Sequence, residues 1–389
     1  MTTLIIKPRA RIFHGHDWVY STEIQKVAGE AVAGDVVALK DHRNRPLGTA
    51  IYNPHSQIVA RRFSRRKQDL DADFFFRRLE RALSVREALH FLEPVYRLAW
   101  SEADGLPGVI VDRYGDLLVV QTLTAAMDQR RHLISDALRQ LLNPTGIVER
   151  NDSSIRVAEQ LPPRVGMLHG DEVAPFDVEV AGIRQKVDLL TGQKTGLYLD
   201  QIDNYAAVAR LAPGRRVLDC FCNQGGFALH SAKAGAASVK AVDISETAIA
   251  QARENAATNG LTIDLEQVNA FDYLKKGSSE GEEYDLIILD PPSFTKNRKS
   301  LQDALRGYKE IHLRALKMLS KDGILATFCC SHHVSREDLL QVMREASVDA
   351  HRLVRQLAIH SQRRDHPVVP TLPETEYLKG FTFQAMAAW

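Results

Sequence analysis

At 389 residues, 44% hydrophobic and 25% charged, the chain has the make-up of a soluble globular protein with two or three cores. No apolar run approaches the ~20 residues needed to cross a bilayer. The start, MTTLIIKPRARIF, has neither the long apolar core nor the cleavage site of a secretory signal, so a membrane protein is excluded and a cytoplasmic one expected. The net charge of +1 hides an asymmetry, because residues 1–67 hold twelve Lys/Arg against five Asp/Glu. Such a module on a near-neutral body points to an anionic polymer, the alternative being a solvated strand end.

In chain order, the basic region reads as short strands at Val36–Leu39, Gly48–Ile51 and Gln57–Phe63, with a turn at Asp41–Arg45. Its segments HDWVYSTEI, GDVVALKD and GTAIYNPHSQIVARRFS resemble the PUA domain of RNA-modifying enzymes, which implies an RNA-binding β-barrel over residues 1–69. Apolar residues at helical spacing (Phe74, Phe75, Leu79, Leu83, Leu89) predict a helix over Asp73–Phe91. Strands are expected at Tyr96–Trp100, Val109–Asp112, Leu117–Gln121, Gly146–Glu149 and Phe176–Val180, with a helix at Met127–Leu142. Residues 70–184 thus read as a small α+β middle domain, in which Glu102–Gly108 is a turn rather than a site.

From Arg215 strands and helices alternate. Strands fit Val217–Phe221, Ser238–Asp243, Asp264–Val268, Asp285–Asp290 and Gly323–Cys330; helices fit Gly226–Ala234, Glu246–Asn259, Leu301–Ser320 and Ser335–Ser347, with Lys321-Asp322-Gly323 as a turn. The fold class is therefore α/β, a doubly wound parallel sheet with ligands at the strand C-termini, over residues 185–389.

The first strand of that sheet runs into Asp219-Cys220-Phe221-Cys222-Asn223-Gln224-Gly225-Gly226. A nicotinamide enzyme places Gly-x-Gly-x-x-Gly here to cradle a pyrophosphate; a late Gly pair with an acidic residue suits a cationic, phosphate-free ligand better. Asp243 closes the next strand, where a carboxylate accepts hydrogen bonds from ribose hydroxyls. This arrangement resembles the class I (Rossmann-like) methyltransferases and implies S-adenosyl-L-methionine as cofactor. By that resemblance Asp219, Asn223 and Gly225 line the methionine end, Asp243 holds the ribose, and Asn269 meets the adenine amine, with Asp272 as its rival. Lys194-Thr195-Gly196-Leu197-Tyr198-Leu199-Asp200-Gln201 matches a KTGxYLDQ segment that lies across the cofactor in one branch of these enzymes, which adds Tyr198 and Gln201. The arginines that usually follow are absent, Ile202 standing in the first position.

Strand four ends in Asp290-Pro291-Pro292-Ser293-Phe294 and strand five in Thr327-Phe328-Cys329-Cys330-Ser331. Amino-group methyltransferases follow Asp-Pro-Pro directly with a base-stacking aromatic; here the aromatic comes one position late. A cysteine beside Asp290 suits cytosine C5 instead, which becomes nucleophilic once a thiolate has added to C6. Together with Asp365-His366-Pro367 and Pro373–Phe381, these features resemble the PUA-containing 23S rRNA (cytosine-5)-methyltransferases. The resemblance implies Cys330 as nucleophile, Asp290 beside the cytosine edge and ribosomal RNA as partner, and it leaves a homodimer open. Cys329 is expected to face the other side of the sheet, and Cys220 and Cys222 to be packing residues. His366 reads as a turn cap rather than a base; Lys296, Arg298, Lys299 and Arg306 are candidate phosphate contacts. No metal is expected, because Cys-x-Cys and Cys-Cys spacings fit zinc knuckles poorly. Rival readings are an rRNA N-methyltransferase on the same frame, a non-catalytic RNA-binding or ribosome-assembly factor, and a small-molecule methyltransferase.

Overall fold

The computed structural model describes residues 1–91, 94–192, 194–295 and 298–386, without the side chain of Arg298. The chain forms two compact units: residues 1–178, 187–199 and 364–375 make the first, and residues 179–186, 200–363 and those described from 376 onward make the second.

In the first unit, six strands form one sheet in the order Trp18–Tyr20, Ile58–Ser64, Pro46–Tyr52, Val36–Asp41, Thr3–Ile6, Ile24–Ala28. Alternation along five of them sends Val19, Val59, Ala50, Val37, Leu39, Leu4 and Ile6 into a single core, so the sheet curls on itself. The strands Thr3–Ile6, Trp18–Tyr20 and Ile24–Ala28 were not anticipated; each is short and set among Arg, Lys and His. The basic run divides. Arg61 pairs with Glu102 at 2.7 Å and Arg62 with Asp17 at 2.6 Å, whereas Arg65, Arg66 and Lys67 are exposed.

The rest of this unit is a five-stranded sheet, ordered Arg164–His169, Gly146–Asn151, Leu117–Thr122, Val109–Tyr114, Val95–Trp100, against which the helices Ala72–Ala88 and Arg131–Leu142 share a core. The helix expected over Met127–Leu142 is instead two helices, Ala125–Gln129 and Arg131–Leu142, because Arg130 leaves helical geometry at φ −109° and ψ 15°. Two buried bidentate pairs brace the sheet: Arg97 with Asp112 (2.7 and 2.8 Å) and Arg86 with Asp104 (2.6 and 2.8 Å). Asp104 and Glu102 thus hold ion pairs, and Ser101–Asp104 forms a 3-10 helix where the sequence reads as a turn.

The second unit is built on seven strands in the order Asp264–Gln267, Ser238–Asp243, Arg216–Cys220, Tyr284–Leu289, Leu319–Cys329, Lys379–Met386, Leu353–Ser361. The first five are parallel, and Lys379–Met386 runs antiparallel between its two neighbours. Those last two strands and the helix Ala270–Glu280 went unread in the sequence. Lys321-Asp322-Gly323 lies inside Leu319–Cys329 rather than forming a separate turn; Asp322 at φ 59° and a register shift opposite Tyr284 and Leu286 absorb the bend. Strand residues alternate between two cores: Leu218, Cys220, Ile287, Leu289, Leu325 and Cys329 face one, Val217, Leu286, Ile288, Ile324, Ala326 and Phe328 the other. The strand order reverses between Arg216–Cys220 and Tyr284–Leu289, which opens a crevice beyond their C-terminal ends. Among the described residues no helix is long and apolar enough to cross a membrane, and no group of three or more His, Cys, Asp or Glu could hold a metal ion.

Candidate active site

The reversal point carries the acidic residues. Cys220 is in register with Leu289, so Asp219, on the strand Arg216–Cys220, and Asp290, the residue just past the end of Tyr284–Leu289, flank the crevice. Asp219 is fully buried, and its Oδ2 accepts the amide N–H of Ala228, in the first turn of the helix Gly226–Lys233. Its Oδ1 has no hydrogen-bond partner among the described residues. Burial first, then the nearby carboxylate of Asp290 and to a lesser degree that of Asp243, hold the Asp219 carboxyl well above the usual carboxylate range, against the pull of the Ala228 N–H. A buried acceptor with an open oxygen among like charges fits a cationic donor group.

The chain between strand and helix makes room for such a group. Phe221, Asn223 and Gly225 all take left-handed backbone, at φ 63°, 48° and 86°. An aromatic residue there is strained, which is common at binding sites held by their surroundings. Here the hold comes from the next strand: Asp243 Oδ2 accepts from Asn223 N and Oδ1 from Ser245 N, both at 2.9 Å, and Asn223 Oδ1 caps Gln224 N at 2.8 Å. Gly226 starts the helix where a Cβ would lie 2.5 Å from the Tyr205 ring, so only glycine permits this approach. Asn269 caps the helix Ala270–Glu280 through Phe271 N at 2.9 Å, and Asp272 is exposed on the same turn.

Gln201 is buried and bridges: its Nε2 donates to Asp290 Oδ2 at 3.0 Å, and its Oε1 accepts from Asn204 at 2.7 Å. The same segment is fastened from the chain's end, where the Tyr377 hydroxyl donates to Asp200 Oδ2 at 2.6 Å and Asn204 to Ser361 O at 3.0 Å. Tyr198 lies in the 187–199 segment of the first unit, with Lys194 Nζ 4.0 Å from its ring centroid.

Around strand five the two adjacent cysteines diverge. Cys329 is fully buried in one core, whereas Cys330, just past the strand end, is half-buried against the other. The loop after Asp290 meets the turn after Cys330 through Ser293 Oγ and Ser331 Oγ, 2.8 Å apart. Cys220 and Cys222 are buried, and burial with the nearby Asp219 charge pushes both thiols well above the ordinary range, which leaves them as packing groups. Phe294 packs against Tyr308 (4.6 Å between ring centroids) and Phe271 (5.5 Å), so its ring completes an aromatic cluster. Of the candidate phosphate contacts, Lys296 and the Arg298 side chain fall outside the described residues, Lys299 is exposed, and exposed Arg306 pairs with Asp303. His366 is buried in the first unit with its Nδ1 2.7 Å from Asp365 Oδ1.

Two groups escaped the sequence reading. Tyr377 and Lys379 sit in Pro373–Phe381, which had been matched only as a motif; a lysine opening the apolar alternation Lys379–Met386 was the available signal.

Comparison with known proteins adds to this geometry. Residues 4–65 match the PUA-like domain family and residues 152–370 the S-adenosylmethionine-dependent methyltransferase family. The chain is 42% identical to ribosomal RNA large subunit methyltransferase I of Shewanella denitrificans over 373 residues, 94% of either chain. It is 39% identical to the protein of the same name from Tolumonas auensis over 99% of each. Two solved structures share its fold at a TM-score of 0.85 while covering 99% of this chain and 100% of their own: a Streptococcus mutans chain described as a SAM-dependent methyltransferase (23% identity) and one described as a methyltransferase complexed with SAH (24%).

Proposed function

Because the chain belongs to the S-adenosylmethionine-dependent methyltransferase family, and within it to the ribosomal RNA large subunit methyltransferases I, we propose that it methylates carbon 5 of a cytosine in large-subunit (23S) ribosomal RNA. When bound, S-adenosyl-L-methionine supplies an electrophilic methyl group on a sulfonium. Asp219 accepts the donor's ammonium, Asn223 and Gly225 let the methionine end approach the backbone, and Asp243 takes the ribose hydroxyls. Asn269, already a helix cap, meets the adenine edge through its remaining amide capacity. Gln201 and Tyr198 belong to the segment assigned to the cofactor, and Gln201 also fixes the rotamer of Asp290.

The observation that carries the cytosine reading is the half-buried Cys330, one residue before the Ser331 hydroxyl that meets the Asp290 loop. Its thiolate adds to cytosine C6, forming the S–C6 bond and giving C5 enamine character. C5 would then bond to the methyl carbon as the sulfonium–methyl bond breaks and leaves a neutral thioether; loss of the C5 proton to a base and expulsion of the thiolate restore the aromatic ring. Asp290 holds the N3/N4 edge while this happens. Packing of Phe294 into the aromatic cluster disfavours the N-methyltransferase rival, which needs that ring against the base. The curled N-terminal sheet, with exposed Arg65, Arg66 and Lys67, supports RNA as partner. We also read residues 1–69, 70–184 and 185–389 as three domains, since the six-stranded sheet closes at Ser64 and the seven-stranded sheet draws on the chain only after residue 215.

The test is transfer of labelled methyl groups to ribosomal RNA lacking modifications, with Cys330→Ala and Cys329→Ala beside the unaltered protein. Label in 5-methylcytosine that vanishes with Cys330→Ala and persists with Cys329→Ala is the expected result. Transfer surviving Cys330→Ala, or label in a purine, overturns the cytosine mechanism. Donor binding without any transfer favours an assembly factor.

A further inference from the structure

Lys379 is a buried cation that makes no ion pair among the described residues, the Glu376 carboxylate acting on it only from a distance. Only 5% of the residue is exposed, and its Nζ donates to the backbone oxygen of Ser331 at 2.7 Å, its one hydrogen bond among the described residues. Strand pairing sets it directly across from Cys329, and its ammonium lies within electrostatic reach of both Cys329 and Cys330. Burying an ammonium against a neutral carbonyl alone is costly, and chains retain such groups where an anion appears beside them.

We propose that Lys379 is the positioning residue that stabilises the Cys330 thiolate, its ammonium being the counter-charge that forms the nucleophile at neutral pH. The inference rests on the proposed role of Cys330. Among the described residues, several other charged and titratable groups around this spot are already engaged or of the wrong sign. Asp290, on the neighbouring loop, opposes a thiolate. Tyr308 is packed beside Cys329, its hydroxyl held neutral by burial and by the cysteines. Arg336 donates to Glu376 at 2.7 Å, so that cation is neutralised. His360 is bound to Thr382, and burial followed by the Arg336 charge keeps it neutral. His332 stacks near Tyr377, 5.8 Å between ring centroids. Burial pushes the Lys379 ammonium down, whereas Cys329, Glu376 and Cys330 push it back up. The coupling is reciprocal: whatever a thiolate does to hold the proton on Lys379, Lys379 does to remove the proton from the thiol.

The experiment reads the thiol directly. In full-length protein carrying Cys329→Ala, the rate of Cys330 alkylation by iodoacetamide is followed by mass spectrometry from pH 5 to 10. It is compared among Lys379, Lys379→Gln, Lys379→Met and Lys379→Arg. Glutamine keeps an amide donor without the charge, and arginine keeps the charge. With Lys379 the midpoint is expected well below the ordinary thiol value of about 8.5. Gln and Met are expected to raise it by a unit or more, which cuts alkylation at pH 7 about tenfold, and Arg to restore most of the shift. An ordinary midpoint with Lys379, or an unchanged one in both Gln and Met, overturns the proposal. Because alkylation needs no RNA, it stands apart from the methyl-transfer test: a midpoint that does not depend on Lys379 sinks the role of Lys379, and transfer surviving Cys330→Ala sinks the nucleophile. Should Met fail to fold, by circular dichroism, the Gln and Arg pair still decides.

Discussion

The hydroxyls of Ser293 and Ser331 lie 2.8 Å apart and join the loop after Asp290 to the turn after Cys330. Asp290 and Cys330 are the two groups assigned to the reaction, and the contact ties together the segments that follow them. Ser293→Ala and Ser331→Ala are each expected to lower single-turnover methyl transfer about tenfold, the scale on which misplacement of reacting groups acts. Donor affinity by calorimetry should move less than twofold. The double variant should cost less than the sum of the two single effects, since both substitutions remove the shared contact, while Ser293 also donates to Thr295 O and Ser331 also meets the Tyr308 hydroxyl. Additive losses would show that the hydroxyls act separately.

Asp219 is held protonation-prone by burial and by Asp290, so the ligand-free protein carries a penalty for ionising it. With a folded pKa above the unfolded value near 3.9, the native state binds the extra proton. Stability is therefore lost as pH rises from the unfolded toward the folded pKa, and stays lost above it. Asp219→Asn keeps an acceptor for the Ala228 N–H and removes that penalty. It should raise the melting temperature of the free protein at pH 7 while weakening donor binding by at least about tenfold, or 1.4 kcal/mol. A variant that melts lower and binds normally would contradict both halves.

Much of this site was legible in the sequence, because it follows chain-local rules. Asp219 and Asp243 close strands announced by Val-Leu and Ala-Val runs, and the Gly pair after Asp219 marks a close backbone approach. What stayed hidden depends on distant pairing. Nothing local tells that Tyr377 reaches Asp200, that Lys379 pairs with Cys329, or that Ser293 meets Ser331. The antiparallel strand Lys379–Met386 is inserted between two neighbours of earlier sequence, and its charged, glycine-containing start masks its strand character. Local charge misled as well: Arg61 and Arg62 look like part of one basic surface, yet each is paired inside the first unit.

His312 is fully buried behind strand five, its Nε2 2.7 Å from Thr327 Oγ1, and burial pushes its pKa down to about 3. The unfolded value is near 6.5, so the native state binds fewer protons between the two. The stability from keeping His312 neutral is fully present above pH 6.5 and is lost as pH falls toward 3, by up to a few kcal/mol. His312→Gln retains a partner for Thr327 without titrating. Denaturant unfolding at pH 7.5, 5.5 and 4.5 should show a shallower acid decline in this variant; an identical decline would place the titrating group elsewhere.

The two kinds of arginine in the basic run should separate cleanly. Arg61 and Glu102 are nearly buried, with side-chain exposures of 13% and 8%, and burial alone would raise the Glu102 pKa were it not for Arg61, which helps hold it low. Arg61→Ala strands that carboxylate, at a cost of about 3–5 kcal/mol seen in denaturant midpoints. Arg66→Ala removes an exposed charge and should leave stability within about 0.5 kcal/mol. If Arg66 meets a phosphate, its loss weakens RNA binding and reduces the slope of log affinity against log salt by about one unit. An unchanged slope with Arg65, Arg66 and Lys67 all replaced by alanine would move the RNA contact to another face of the N-terminal sheet.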